Sequence, residues 1–517
     1  MMKPAPFRNE PFYDFSTDPA RRAMAEAIAA VGAELGREYP LWIDGKPVRA
    51  GKTFKSMNPS ESDQVVAVVH QAGPEQVEAA VRAAGRAYES WRWVPAEEKA
   101  ALFMRGAHIL RKRRLRAAAL MCYEVGKNWA EADGDVAEAI DFTEYYAREV
   151  LRYSRGRPLP PYDGEMSEYT YIPIGVVAVI SPWNFPLAIP TGMALGAIVS
   201  GNTVVMKPAS DSAATAYEIV DALTEAGLPP GVLNLIPGSG GVVGEALATH
   251  PHVRMIAFTG SREVGIHLFG LAAKTPPEQI WLKRIIAEMG GKNAIIVDDD
   301  ADFDDAVAAV VASGYGYQGQ KCSAGSRLVA TSKIYDRLSE AVVERVKRLE
   351  VGPAPENFPA GPVINAKAEG TIMEYIEVGK REARLAVGGR RAREGGYYIS
   401  PTVFLDVAPG DRIAQEEIFG PVVAAIPARD FDEALRIANG TAFGLTGSVY
   451  SRNPEHLAKA RREFMCGNLY LNRKCTGAMV GTHPFGGFNM SGTDSKAGGP
   501  DYLLNFLQPK VVAYKYR

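Results

Sequence analysis

The chain has 517 residues, 47% of them hydrophobic and 23% charged, with a formal net charge of −2. That length exceeds one hydrophobic core and implies two or more domains. The near-neutral balance removes any electrostatic case for nucleic acid or an anionic membrane as partner. The basic run Arg111-Lys112-Arg113-Arg114-Leu115-Arg116 falls inside a helical pattern and reads as a solvated helix face. Four cysteines, Cys122, Cys322, Cys466 and Cys475, form no CxxC pair and no disulfide framework, which points to a reducing, cytoplasmic setting. Residues 1–10 lack the apolar core of a secretion signal. The most apolar region, 172–206, is broken by Pro182, Asn184, Pro186 and Pro190 into runs too short to span a bilayer.

In chain order, residues 18–39 have helical spacing, and 41–48 read as a hairpin turning at Asp44-Gly45. Gly73-Pro74-Glu75 opens a helix with Val77, Ala80, Val81 and Ala84 on its apolar face. Residues 95–152 form a long helical region that keeps Cys122 in the core. From 169 the pattern changes. Strands are expected at 169–180, 203–206, 232–236 and 255–258, and helices at 211–226, 241–249 and 261–274. Such alternation implies βαβ units and a parallel, doubly wound sheet. A second α/β block follows. It has strands at 294–297 and 327–331, a helix at 303–317 capped by Asp302, and a helix at 334–349. Two blocks suggest a ligand cleft between them. The terminal strand, 509–516, needs a partner edge and reads as an oligomer or interdomain contact.

The residues with chemical potential gather at element ends. Cys322 lies in Gly319-Gln320-Lys321-Cys322-Ser323-Ala324-Gly325, after a helix, with Gly316 and Gly319 loosening the backbone and Lys321 offering a cation beside the thiol. Glu288 closes a β-rich run before Gly290-Gly291, where a half-buried, mobile carboxylate of raised pKa suits a general base. Asn184, in a Pro-rich turn, can donate its amide to a developing oxyanion. Lys207 sits at the carboxyl end of a parallel strand, where doubly wound sheets bind ligands. Phe258-Thr259-Gly260-Ser261 is a strand-to-helix junction with Ser261 as N-cap, open to a pyrophosphate. Gly238-Ser239-Gly240-Gly241-Val242-Val243-Gly244 departs from the dinucleotide fingerprint, and either a tight turn or a phosphate site fits it.

These motifs, with Lys207-Pro208-Ala209-Ser210, Glu416-Glu417-Ile418-Phe419-Gly420-Pro421 and Pro484-Phe485-Gly486-Gly487-Phe488, occur in the order seen in the aldehyde dehydrogenase superfamily, which the chain resembles over its whole length. A narrower likeness is carried by Phe7-Arg8-Asn9-Glu10-Pro11, Tyr123-Glu124-Val125-Gly126-Lys127-Asn128-Trp129, Ala137-Glu138-Ala139-Ile140-Asp141-Phe142 and Asn472-Arg473-Lys474-Cys475-Thr476-Gly477-Ala478. In these segments the chain is similar to the bacterial pyrroline-5-carboxylate dehydrogenases, which oxidise glutamate γ-semialdehyde to glutamate in proline breakdown.

The resemblance implies two doubly wound α/β domains and a small β oligomerisation flap. A cofactor domain would span 1–155 and 174–288, a catalytic domain 289–488, and oligomerisation segments 156–173 and 489–517. It makes Cys322 the nucleophile, Asn184 and the Cys322 N–H the oxyanion donors, and Glu288 the base that activates water against the thioester. Lys207 and Glu417 match cofactor-ribose contacts, while Trp183, Ser210, Gly260, Ser261 and Phe419 match other parts of the cofactor site. Ser323, Gly477 and Ala478 match a grip on the substrate α-carboxylate. Glu138 matches an acidic group near its ammonium, and Phe185 and Phe485 match aromatic walls. No metal is implied. The expected cofactor is NAD, with NADP tolerated because Ser210 stands where strongly NAD-preferring members often carry Glu, and serine does not repel a 2′-phosphate. Met289 replaces the usual leucine at similar volume. Cys475 lies near the carboxylate grip as either a spectator or an oxidation liability. The expected assembly is a homo-oligomer built on dimers, with a hexamer as one candidate. The alternative substrate is another carboxylated semialdehyde, such as succinic semialdehyde.

Overall fold

Residues that alternate along a strand face opposite sides of a sheet, so a strand apolar at every position must be covered on both faces. Val176–Ile180 and Thr203–Lys207 are buried throughout, and a computed structural model, which describes residues 5–516, covers them in this way. Val177, Val179, Val204 and Met206 face one core with helices Ala96–Lys112, Trp129–Tyr153, Ala188–Val199 and Tyr217–Glu225. Val176, Ala178 and Val205 face another, under Pro74–Trp91 and Glu245–Thr249. Met1–Pro4 and Arg517, at the ends of the expected outer segments, lie outside the described residues.

The seven-stranded first sheet runs Arg284–Glu288, Val253–Thr259, Val176–Ile180, Thr203–Lys207, Leu233–Leu235, Leu41–Ile43 and Lys46–Val48. Its first five strands are parallel, and the Leu41–Val48 hairpin adds antiparallel, with Asp44 and Gly45 at positive φ as its turn requires. The second seven-stranded sheet runs Arg384–Val387, Thr402–Leu405, Val422–Ala428, Arg327–Thr331, Ala294–Val297, Thr446–Tyr450 and Asn468–Leu471. Only its first pair is antiparallel. The same alternation splits Ile296 and Val329 from Ile295 and Leu328 onto opposite cores.

Several local expectations need correction. The helix expected at 18–39 ends at Gly32, and Arg37–Tyr39 is a strand paired with Glu61–His70. Its apolar spacing continued into a segment that a parallel neighbour captures. The expected 211–226 helix is a short 3₁₀ turn followed by Tyr217–Glu225. The expected 241–249 helix is a π-turn over Gly240–Gly244 leading into Glu245–Thr249. The terminal strand finds its partner within the chain: Leu507–Lys515 pairs antiparallel with Glu165–Pro173 along its whole length.

Glu124 shows how the N-terminal helices are locked to the first sheet's surroundings. Its buried carboxylate accepts from Ser56 Oγ (2.9 Å), the Ala214 and Thr215 N–H groups (2.8 Å each) and Thr215 Oγ1 (2.6 Å). Glu124→Ala leaves four donors without an acceptor, so a loss of about 3 kcal/mol or more is expected. The check is a fall in apparent Tm by thermal unfolding, with Glu124→Gln falling less.

Candidate active site

Strands of the first sheet deliver their carboxyl ends toward the second sheet, and the chemically useful side chains sit there. After Val176–Ile180, the turn places Trp183 against Phe419, edge to face at 5.5 Å, and against Tyr317 at 6.5 Å. Asn184 is buried, and its Nδ2 donates to the Gln320 carbonyl at 3.0 Å. That bond uses one of the two amide hydrogens and ties the turn to the residues just before Cys322.

Cys322 follows helix Phe303–Tyr315 through a turn that the sequence did not reveal. The expected helix to 317 stops at Tyr315, and Tyr317, Gln318 and Gly319 adopt left-handed φ of 50, 55 and 68°. Two non-glycine residues in that region carry strain, which persists only where the surroundings over-determine it. Here they do. Tyr317 Oη donates to the Val125 carbonyl at 2.7 Å, and Gln318 Nε2 donates to the Pro362 carbonyl at 2.7 Å and the Gly126 carbonyl at 3.2 Å. A Cβ on Gly319 would lie 2.2 Å from the Gly420 carbonyl oxygen. The glycines expected to loosen this backbone instead permit a close, pinned approach.

Asn293, missed by sequence reasoning, clasps the thiol's own backbone. Its Nδ2 donates to the Cys322 carbonyl at 2.7 Å and the Ala324 carbonyl at 2.8 Å, while its Oδ1 accepts from the Thr446 N–H at 2.9 Å. Its signal, an asparagine directly after Gly290-Gly291-Lys292, carries no chemistry of its own and was therefore easy to pass over.

Lys321 does not serve the thiol as expected. Its ammonium pairs with Glu131 at 2.6 Å. Burial pushes the Cys322 thiol up to about 12, with the Glu417 and Glu288 carboxylates adding to the shift and the Ser323 N–H opposing it. Glu288 closes strand Arg284–Glu288. Its carboxylate is tied by three hydrogen bonds: Oε1 accepts from Ser495 Oγ (2.7 Å) and N–H (3.1 Å), and Oε2 accepts from the Gly487 N–H (3.3 Å). Burial raises its pKa to about 7, against the pull of those three bonds. Ser495, a few residues beyond the Pro484-Phe485-Gly486-Gly487-Phe488 motif, was also missed, because a serine in a polar loop carries no signal of its own.

A second group of residues fits a dinucleotide. Lys207 ends strand Thr203–Lys207, and its buried ammonium donates to the Pro208 carbonyl at 2.8 Å, leaving two of three hydrogens for a ligand. Burial lowers its pKa to about 8. Glu417 Oε1 accepts from the Gly291 N–H at 2.9 Å, and burial raises its pKa to about 7. A donor and an acceptor of this kind suit the hydroxyls of a ribose. Gly244 lies beside Lys207, since a Cβ there would come 3.9 Å from the lysine chain. Ser261 caps helix Arg262–Ala272, its Oγ accepting from the Val264 N–H at 3.4 Å, and Gly260 precedes it, closed over by the Phe258 ring. Ser210 begins the 3₁₀ turn three residues after Lys207, half-buried.

Phe185, Glu138, Ser323, Gly477, Ala478 and Phe485 make up the rest of the expected set. Phe185 lies 3.8 Å beneath the Lys127 ammonium, which pairs with Asp135 at 2.7 Å in full burial. Glu138, one helical turn on, is half-buried, and burial together with the Asp135 and Asp141 charges raises its pKa to about 8. Ser323 is buried, and its carbonyl accepts from Cys475 Sγ at 3.3 Å. Cys475 is thus a fully buried support beneath the Cys322 segment rather than an exposed thiol. Gly477 is exposed with φ 77°, Ala478 is half-buried, and Phe485 is tied by its backbone to Ala497. Among the described residues no group of three or more His, Cys, Asp or Glu is disposed to hold a metal ion, and no helix is long and apolar enough to cross a membrane.

The model of the aldehyde dehydrogenase family matches residues 43–512. The chain belongs to that family. This aldehyde dehydrogenase is 52% identical over 509 residues to the 1-pyrroline-5-carboxylate dehydrogenase of Geobacillus sp. (strain WCH70), covering 98% of this chain and 99% of the relative. The solved 1-pyrroline-5-carboxylate dehydrogenase from Thermus with bound NAD superposes on it with a TM-score of 0.98 at 51% identity, covering 99% of this chain and 100% of that one. Proline utilization A from Bdellovibrio bacteriovorus, inactivated by N-propargylglycine, matches with a TM-score of 0.97 at 46% identity, over 100% of this chain and 54% of that one. The dehydrogenase therefore has the expected α/β fold.

Of its four cysteines, only Cys322 is not fully buried. In the cofactor-free enzyme, iodoacetamide is expected to modify Cys322 first. The rate should keep rising with pH to about pH 10, because the thiolate is the reactive form. Peptide mapping by mass spectrometry checks the site, and a rate that levels off near neutrality would contradict the buried, carboxylate-flanked thiol.

Proposed function

We propose that this aldehyde dehydrogenase oxidises L-glutamate γ-semialdehyde, the open form of 1-pyrroline-5-carboxylate, to L-glutamate with NAD, in proline breakdown. The observation that carries this reading is a half-buried thiol whose titration is raised by a nearby carboxylate itself poised near neutrality, in a chain that matches 1-pyrroline-5-carboxylate dehydrogenases over nearly its whole length. In this reading the Cys322 thiolate adds to the aldehyde carbon. The Cys322 N–H and the free Asn184 amide hydrogen stabilise the oxyanion. NAD, when bound, supplies a cationic ring that accepts the hydride. A cation near Cys322 offsets the burial and the carboxylates that keep its thiol protonated. Loss of hydride leaves a thioester on Cys322, and Glu288 takes a proton from the water that cleaves it, freeing the acid product and the thiol.

Lys207 and Glu417 would hold the ribose hydroxyls of the cofactor, with Trp183, Ser210, Gly260, Ser261 and Phe419 lining the rest of its site. The backbone N–H groups at Gly477 and Ala478, with the Ser323 hydroxyl, would take the α-carboxylate. Glu138, protonated near neutrality in the free enzyme, would ionise on meeting the substrate ammonium. Phe185 and Phe485 would flank the aliphatic part. The exposed Ile266, Phe269, Ile280 and Leu282 side chains, with Val511, Val512 and Tyr514 on the terminal ribbon, support a homo-oligomer built on dimers. Four unpaired cysteines support a cytoplasmic setting.

Steady-state kinetics with glutamate γ-semialdehyde and succinic semialdehyde tests the substrate; a preference for the latter overturns the reading. Glu288→Gln is expected to give one equivalent of NADH in a stopped-flow burst and then stall at the thioester. In the parent enzyme the base form of Glu288 dominates above its pKa of about 7, so kcat should fall as pH drops through that value. Ser210→Glu should lower kcat/KM for NADP relative to NAD by about tenfold or more, through repulsion of the 2′-phosphate. An unchanged ratio would remove Ser210 from the cofactor site.

A further inference from the structure

The segment Phe7–Glu10 takes no part in the chemistry above, yet it is held by several side-chain contacts. Glu10 accepts from Arg111 Nε at 2.9 Å and Nη2 at 2.7 Å, and from Arg114 Nη1 at 3.3 Å. Its N–H donates to Asp141 Oδ1 at 2.7 Å. Phe7 packs edge to face on Tyr145 at 5.2 Å. Both rings close over Gly481, where an added Cβ would meet each at 3.1 Å.

Asn9 sits at the centre of this arrangement. Its Nδ2 donates to Asp141 Oδ2 at 2.8 Å and to the Val480 carbonyl at 2.9 Å. The two hydrogens of one amide nitrogen are therefore both committed, one to helix Trp129–Tyr153 and one to the loop after strand Asn468–Leu471. Asp141 lies one turn along that helix from Glu138, and Val480 lies two residues beyond Ala478. Asn9 thus joins the helix that carries Glu138 to the loop that carries Gly477 and Ala478.

We propose that the Phe7–Glu10 arm is a specificity device, in which Asn9 is a positioning residue that sets the distance between Glu138 and the Gly477-Ala478 nest. This rests on the reading of those groups as the ammonium and carboxylate sites. The arm touches neither Cys322, Asn184 and Glu288 nor the cofactor residues. Its influence falls on recognition of the amino-acid end and not on the aldehyde chemistry. An amide is required at position 9: an isosteric carboxylate has no hydrogen to give and would face Asp141 with like charge.

The test is to compare Asn9→Asp and Asn9→Ala with the parent enzyme on glutamate γ-semialdehyde and on propanal, which has neither an amino nor a carboxylate group. Each variant is expected to raise KM for the semialdehyde, and the inhibition constant of L-glutamate, by about tenfold, the order lost with one charge-assisted hydrogen bond. The kcat for the semialdehyde, the KM for propanal and the KM for NAD should stay within about twofold of the parent. Phe7→Leu, which thins the same contact on Gly481, should move KM for the semialdehyde in the same direction by less. Equal shifts for both aldehydes, or no shift in either, would overturn the proposal, because a merely structural arm moves both substrates together. A parent enzyme that does not prefer the semialdehyde over propanal overturns the reading of the site itself, before any variant is made.

Discussion

The site depends on how closely two backbone segments approach at Cys322. One is Gly290-Gly291-Lys292-Asn293, leaving the first sheet's edge strand; the other is the left-handed turn that ends helix Phe303–Tyr315. A Cβ on Gly291 would lie 2.5 Å from the Cys322 carbonyl oxygen, and Asn293 then closes the gap with two hydrogen bonds. Asn184 completes the clasp through the Gln320 carbonyl. The thiol's main chain is thereby held from both sheets, and its side chain needs no dedicated scaffold. Rigid support of this kind allows a strained turn to persist and a reacting atom to be presented in one geometry.

The electrostatics follow from the same closeness. Burial that shapes the site also moves Cys322, Glu288, Glu417, Glu138 and Lys207 away from their charged forms. None of these groups has a strong partner of opposite charge. The free cation nearest the thiol in sequence, Lys321, is already spent on Glu131. Each of these groups would therefore change its protonation readily when a charge is brought beside it.

Much of this was legible in the sequence, for identifiable reasons. Strand and helix alternation located both sheets because buried parallel strands are apolar at every position, as in Val176–Ile180. Lys207 and Glu288 stood out because they lie at strand ends, and Cys322 because it follows a helix in a glycine-rich turn. Three things were not. Residues 37–39 have helical spacing but are captured by a neighbouring strand, a tertiary effect that local pattern does not contain. The turn at Tyr317-Gln318-Gly319 is held by carbonyls of residues 125, 126 and 362, distant in the chain. Asn293 and Ser495 act by holding other groups in place, and nothing in their residue types announces that.

The ribbon of Glu165–Pro173 and Leu507–Lys515 is bound to the first sheet by side chains. Asn202 Oδ1 accepts from the Ile174 and Gly175 N–H groups, and its Nδ2 donates to the Phe506 carbonyl, 304 residues away. Arg284 on the first sheet's edge strand reaches the Leu507 carbonyl at 2.6 Å, and among the described residues Leu507–Lys515 is the strand that Glu165–Pro173 pairs with. The two strands form a ribbon separate from the first sheet, joined to it by these side-chain bonds rather than by the sheet's own ladder. Removing residues 506–515 would leave the Asn202 amide and the Arg284 guanidinium without these acceptors and Glu165–Pro173 as an unpaired edge.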